Sequence, residues 1–138
     1  MKMPRRTYVD ANILISAFRG DEPTATAAME ILADPDRVFV VSDYLRLETL
    51  PKPTFHRNRS EVSFYVAFFD AAAEVVRSRQ ELTEHAIELA MRYDLSPIDS
   101  LHVSAAISAK VDELVTLEKP SKPMLRVVEV KVVSIYRS

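Results

Sequence analysis

The sequence predicts an α/β protein, a three-layer α/β/α sandwich built on a mostly parallel central sheet. Three observations predict it. Short β-prone runs alternate with helical segments along the chain, the pattern of successive βαβ units. Val38-Phe39-Val40-Val41 is apolar without alternation, as in a strand covered on both faces. The 138 residues, 48% hydrophobic and 28% charged, are enough to bury a substantial core within one domain spanning 1–138.

Each element has a local reason. Thr7-Tyr8-Val9 is a short β-prone run, and Ala11 to Phe18 reads as a helix after it. Gly20-Asp21-Glu22-Pro23 is a loop. Thr24 to Ala33 is a second helix, with Ala27, Ala28, Ile31 and Leu32 at helical spacing. Asp34-Pro35-Asp36 turns the chain into the Val38–Val41 strand. Ser42 is placed to cap the next helix and Pro51 to stop it, so that Pro51 to Arg59 reads as a basic, proline-containing loop or hinge. Ser60 to Ala73 is an apolar helix whose Phe64, Phe68 and Phe69 read as core or as a partner-facing groove.

Glu74-Val75-Val76 is a short strand, and Thr83 to Tyr93 an amphipathic helix with Ala86, Leu89, Ala90 and Tyr93 on one face. Ser96-Pro97-Ile98-Asp99 is a helix start: a serine cap, proline at the first helical position, an acid three after the cap. That helix is expected to reach about Ala109. Glu113 to Leu117 is a strand, and the valine-rich tail from Arg126 to Tyr136 is β-prone.

Composition excludes several chemistries. The chain has one glycine, Gly20, so it builds no Walker phosphate loop, no GxGxxG dinucleotide turn and no GxSxG elbow. It has no cysteine, which removes disulfides, thiol nucleophiles and cysteine-held metals. Eighteen Lys and Arg against twenty Asp and Glu give a net charge of −2, which advertises no nucleic-acid coat but permits a local basic surface balanced by an acidic cluster. No apolar run reaches the roughly 18 residues of a membrane span, and the basic start Met1-Lys2-Met3-Pro4-Arg5-Arg6 lacks a signal peptide's apolar stretch. A cytoplasmic protein is expected.

Ligands of open α/β sheets lie beyond the carboxyl ends of the strands. Asp10 follows the first strand and Glu118 the Glu113–Leu117 strand. Glu48 lies on the helix leaving Val38–Val41, and Asp99 in the first turn of a helix that must pack on the same sheet. Alone, Asp10 and Asp99 read first as helix caps and Glu118 as a solvated loop residue. Glu48 fits such a reading less well, because a negative charge in a last helical turn is disfavoured and wants a cation. Two carboxylates about 4 Å apart repel by roughly 4 kcal/mol at an effective dielectric near 20. Four together are therefore the arrangement of a site for a hard divalent ion, Mg²⁺ or Mn²⁺.

With those residues in view, the sequence resembles the PIN-domain ribonucleases, and within them the small VapC-like toxins of type II toxin–antitoxin systems. The resemblance rests on Tyr8-Val9-Asp10-Ala11-Asn12-Ile13-Leu14, Val41-Ser42 with Glu48, Leu95-Ser96-Pro97-Ile98-Asp99-Ser100-Leu101-His102 and Asp112-Glu113-Leu114-Val115-Thr116-Leu117-Glu118, in order over nearly the whole chain. It implies a metal-dependent endoribonuclease that hydrolyses RNA phosphodiester bonds, with Asp10, Glu48, Asp99 and Glu118 catalytic and the metal held by Asp10, Asp99 and Glu48. It also implies a cognate antitoxin and a homodimer. Asn12 and Thr116 are expected to support the acids or their waters, against the commonplace readings of Asn at a helix start and Thr in a strand. Three positions depart from the family pattern: Glu118 stands where Asp is usual, Lys110-Val111 where a glycine is common, and Pro51 and Pro53 interrupt a helix that is often longer.

Arg46, Arg19, Lys119 and Lys122 are the basic residues expected near the site, as holders of RNA phosphates. His102, one turn after Asp99, reads as structural, with a neighbour of the metal as the other possibility. Rival readings are weaker. A receiver domain wants paired acids at the first strand, although Asp43 imitates its acceptor. A dehalogenase-like phosphatase wants Asp-x-Asp, and Asn12 fills the second place. A catalytically silent RNA- or protein-binding module of the same fold would be expected to lose acids from the cluster.

Overall fold

A computed structural model describes residues 3–137. These form five strands, β1 (Arg5–Val9), β2 (Arg37–Ser42), β3 (Glu74–Val76), β4 (Glu113–Thr116) and β5 (Val132–Ser134). The helices are α1 (Ala11–Arg19), α2 (Thr24–Leu32), α3 (Asp43–Thr49), α4 (Pro51–Phe55), α5 (Arg59–Asp70), α6 (Gln80–Tyr93) and α7 (Pro97–Ser108), with a 3₁₀ turn at Pro123–Arg126. The sheet order is β3-β2-β1-β4-β5 and every pair is parallel.

Alternation along the strands divides the core between two faces. Tyr8, Val40 and Leu114 point into one cluster with α6 and α7 residues such as Leu82, Leu89 and Val103. Val9, Val41 and Val115, each one residue further on, point into the other with Ile13, Leu14, Ala28 and Tyr65 of α1, α2 and α5. The result is the expected α/β/α sandwich. Only the carboxyl half of β2 is covered on both faces: Val40, Val41 and Ser42 are buried, while Arg37 to Phe39 are half-buried. Among the described residues no helix is long and apolar enough to cross a membrane.

Pro51 does not end in a loop. It opens α4, where its missing N–H is not needed and its fixed φ suits a first helical position. The connection to α5 shrinks to His56–Asn58, and Asn58 caps α5 by accepting from the Glu61 amide at 3.2 Å. Helix α5 is shorter than expected and ends at Asp70, because the chain must turn so that the Ala73 amide reaches Phe39 O on the way into β3. Only three residues of the valine-rich tail pair with the sheet. In the pair Lys110-Val111, Lys110 adopts the left-handed backbone that favours glycine, at φ 54°.

Candidate active site

The chain passes from β1 out to β2 and β3, then returns to lay β4 on the other side of β1. The order of strands therefore reverses between β1 and β4, and the crevice beyond their carboxyl ends is where this architecture places ligands. Asp10 and Glu118 leave the sheet there.

Asp10 is buried, at 4% exposure. Its Oδ1 accepts from the Ile13 amide at 3.4 Å and so caps α1; its Oδ2 accepts from the Thr116 hydroxyl at 2.5 Å. The Thr116 oxygen in turn accepts from the Glu118 amide at 3.0 Å, tying the β4 exit to the β1 exit. Burial raises the Asp10 pKa to about 6; the Thr116 bond and the nearby His102 oppose the rise, and the charge of Asp99 adds to it. Asp99 and Glu118 line a pocket of about 240 Å³ with Asp94, Ser96 and Lys122. The Asp99 amide donates to its cap, Ser96 Oγ, at 3.3 Å.

Glu48 reaches the same region from α3, which packs on α7. Its Oε1 meets His102 Nε2 at 2.5 Å, and His102 Nδ1 meets the Tyr8 hydroxyl at 2.6 Å. Tyr8 also meets Ser42 Oγ at 2.6 Å, which accepts from the Leu45 amide at 3.1 Å. An ionised carboxylate only accepts, so Nε2 is the donor. In the neutral ring Nδ1 must then accept, Tyr8 donates to it, and Ser42 donates to Tyr8. Every group in the row is satisfied. Burial pushes the Tyr8 hydroxyl's pKa far up, and the charges of Asp10 and Glu48 push the same way against the Ser42 bond, so Tyr8 keeps its proton. His102 is buried, and its partner is the acid that wanted a cation. The sequence signal was present in its position three residues after Asp99; nothing local pointed to Tyr8.

The remaining candidates are divided. Asn12 is exposed at the start of α1, with no side-chain hydrogen bond among the described residues. Arg46 is on α3 two residues before Glu48, positions that diverge on a helix, and is paired with Asp43 at 3.2 Å. The oxygens of Asp43 are also engaged by Arg77 and the Ser78 amide, which leaves it no likeness to a free acceptor. Lys119 rests over the Tyr136 ring, 5.6 Å from its centroid. Arg19 is not at the site. It stands nine residues along α1, about 13 Å from the Asp10 end, in an ion pair with buried Glu61 at 3.0 Å. Sequence reasoning also missed a buried cluster at the opposite end of the sheet, where Glu113 accepts from Thr7 and Arg37, both at 2.7 Å.

Among the described residues, no three Asp, Glu or His side chains stand close enough to enclose a metal ion. Mg²⁺ does not require that: it keeps several waters and is usually held by one or two carboxylates. Asp10 supplies the fitting observation. It is a buried carboxylate that resists ionisation, makes no ion pair among the described residues and has one oxygen only weakly engaged. The donor set is all oxygen, the chemistry of a hard cation.

The sequence profile of the PIN domain family matches residues 7–119. This chain belongs to the PIN domain family. Its fold is that of solved toxin–antitoxin proteins. VapBC2 of Rickettsia felis, bound to a promoter DNA fragment, superposes with a TM-score of 0.68 at 18% identity, over 92% of this chain and 96% of that one. A toxin–antitoxin complex from Klebsiella pneumoniae gives 0.66 at 21% identity, over 96% and 99%. Mycobacterium tuberculosis VapC20, a sarcin-ricin loop cleaving toxin, gives 0.68 at 17% identity, over 91% and 98%. No curated protein matches this PIN-domain chain by sequence.

Proposed function

We propose that this PIN-domain protein is a Mg²⁺- or Mn²⁺-dependent endoribonuclease, the toxin of a toxin–antitoxin pair. The observation that carries the reading is Asp10: a carboxylate buried at the strand-order reversal with Asp99 close enough to raise its pKa. Burying a carboxylate without a counter-charge is unfavourable, and the two hydrogen bonds Asp10 accepts supply none.

Asp10 and Asp99 would hold the cation directly, with Glu48 and Glu118 at its edge. When bound, a divalent ion supplies Lewis acidity toward water and phosphate oxygens. The chain's own residues do the positioning. Thr116 fixes the Asp10 carboxylate and the β4 exit with one hydroxyl. His102 fixes the rotamer of Glu48. Lys122, which lines the pocket with Asp99 and Glu118, would balance a substrate phosphate.

Support for an antitoxin partner comes from the neighbours, two of which are solved with their toxin–antitoxin assemblies. A homodimer is part of the same reading. Cleavage of structured RNA with and without Mg²⁺ or Mn²⁺, by wild-type and Asp10→Asn protein, is the test. Metal-dependent cleavage lost in the variant is expected; equal cleavage by both would remove the assignment.

A further inference from the structure

The turn from α4 into α5 carries a surface that the proposed chemistry does not use. Residues 51–60 hold three cations, Lys52, Arg57 and Arg59, and no acid, in a chain whose net charge is −2. All three are exposed, and none forms an ion pair among the described residues. Phe55, 81% exposed, projects beside them, with the His56 ring edge-on to it at 5.1 Å. A depression of about 360 Å³ between α4 and α5 is lined by Arg57, Arg59, Thr54 and Ser63 over Pro53 and Val62. Arg57 is held there with a left-handed backbone, φ 58°, an unfavourable conformation for a residue with a Cβ.

We infer that this surface is a binding site for single-stranded RNA, with Phe55 as a stacking platform for an unpaired base and Arg57 and Arg59 as holders of the adjoining phosphates. The inference rests on the ribonuclease reading and adds a contact surface for the strand outside the acid cluster. A lone exposed ring among free guanidinium groups is the combination that single strands use, because every base has a face to stack and every link carries a charge. The depression itself is floored by Pro53 and Val62, so the exposed ring and the unpaired cations beside it, not the depression, favour RNA over a peptide. Helix α4 follows α3 after the single residue Leu50, so this surface begins within a few residues of Glu48 in the chain.

The chain has no tryptophan, so Phe55→Trp introduces a single indole reporter at an exposed position. In metal-free buffer, short oligoadenylate is expected to quench its fluorescence, and a strand of abasic ribose phosphates to bind without quenching. Phe55→Ala should weaken oligoadenylate binding about tenfold. Arg57→Gly with Arg59→Ala, which keeps the left-handed turn and removes two charges, should lower the salt slope of log K by about 1.4. Matched thermal unfolding of each variant shows that the fold is unchanged. Bound oligoadenylate without quenching, an unaltered salt slope, no RNA binding at all, or quenching by an acidic peptide in place of RNA would each overturn the inference. The two readings fail separately: cleavage without quenching removes only the platform, and quenching without metal-dependent cleavage removes only the nuclease.

Discussion

The Thr116 hydroxyl donates to Asp10 Oδ2 at 2.5 Å across 106 residues of sequence, and the same oxygen accepts from the Glu118 amide. One side chain therefore sets both the buried acid and the loop that carries the last acid. Thr116→Val keeps the shape and removes the donor. It should cost about 1–2 kcal/mol in urea unfolding and lower kcat for RNA cleavage, with the metal dependence shifted to higher concentration.

Asp10 makes stability depend on pH in a stated direction. Its folded pKa of about 6 exceeds the unfolded 3.8, so between these values the native state holds a proton that the unfolded chain has released. Metal-free protein should lose stability as pH rises through that window, by about 3 kcal/mol in all. Asp10→Asn should abolish this slope and raise Tm at neutral pH. Millimolar Mn²⁺ should raise the wild-type Tm by binding the native state and leave that of the variant unchanged. Calorimetry across pH 4–7, with and without the ion, checks both.

The His102 link to Glu48 predicts a split outcome. His102→Leu should cost about 1–2 kcal/mol of stability and weaken Mn²⁺ binding, followed by the ion's electron paramagnetic resonance, by about tenfold or more. His102→Gln, which can still donate to Glu48, should recover much of the affinity. Equal affinity in all three proteins would show that the link has no bearing on the site.

Glu113 works in the opposite sense to Asp10. Burial pushes its pKa up, but the bonds from Arg37 and Thr7 and the charges of Arg37 and Arg5 outweigh this and hold it below the ordinary range. The folded pKa is depressed, so the stabilisation is present above about 4.5, the unfolded value, and is lost as pH falls through the folded one. Glu113→Gln should cost about 3 kcal/mol at neutral pH and flatten the acid limb of an unfolding profile.

Lys110 occupies a left-handed position that suits glycine. Lys110→Gly should raise stability by about 1 kcal/mol without altering cleavage, as read from urea midpoints and initial rates.

Much of the fold was legible because its rules are local. Ser42 and Ser96 accept from amides three residues on, Pro97 takes a first helical position, and the apolar run of β2 enters the sheet. Pro51 was misread because the same residue both ends one helix and starts another, and only the backbone after it decides which.

What the sequence determined by itself was the succession of strands and helices and the acids that follow the strands, since hydrophobic period, caps and turns act over a few residues. Only the tertiary structure decided which side chains meet. Placing β1 between β2 and β4 brings Thr116 to Asp10, packing α3 on α7 gives Glu48 to His102, and the run of α1 carries Arg19 away to Glu61. Those pairings depend on strand register and helix packing, which are set by burial summed over the whole core and leave no mark at any one position.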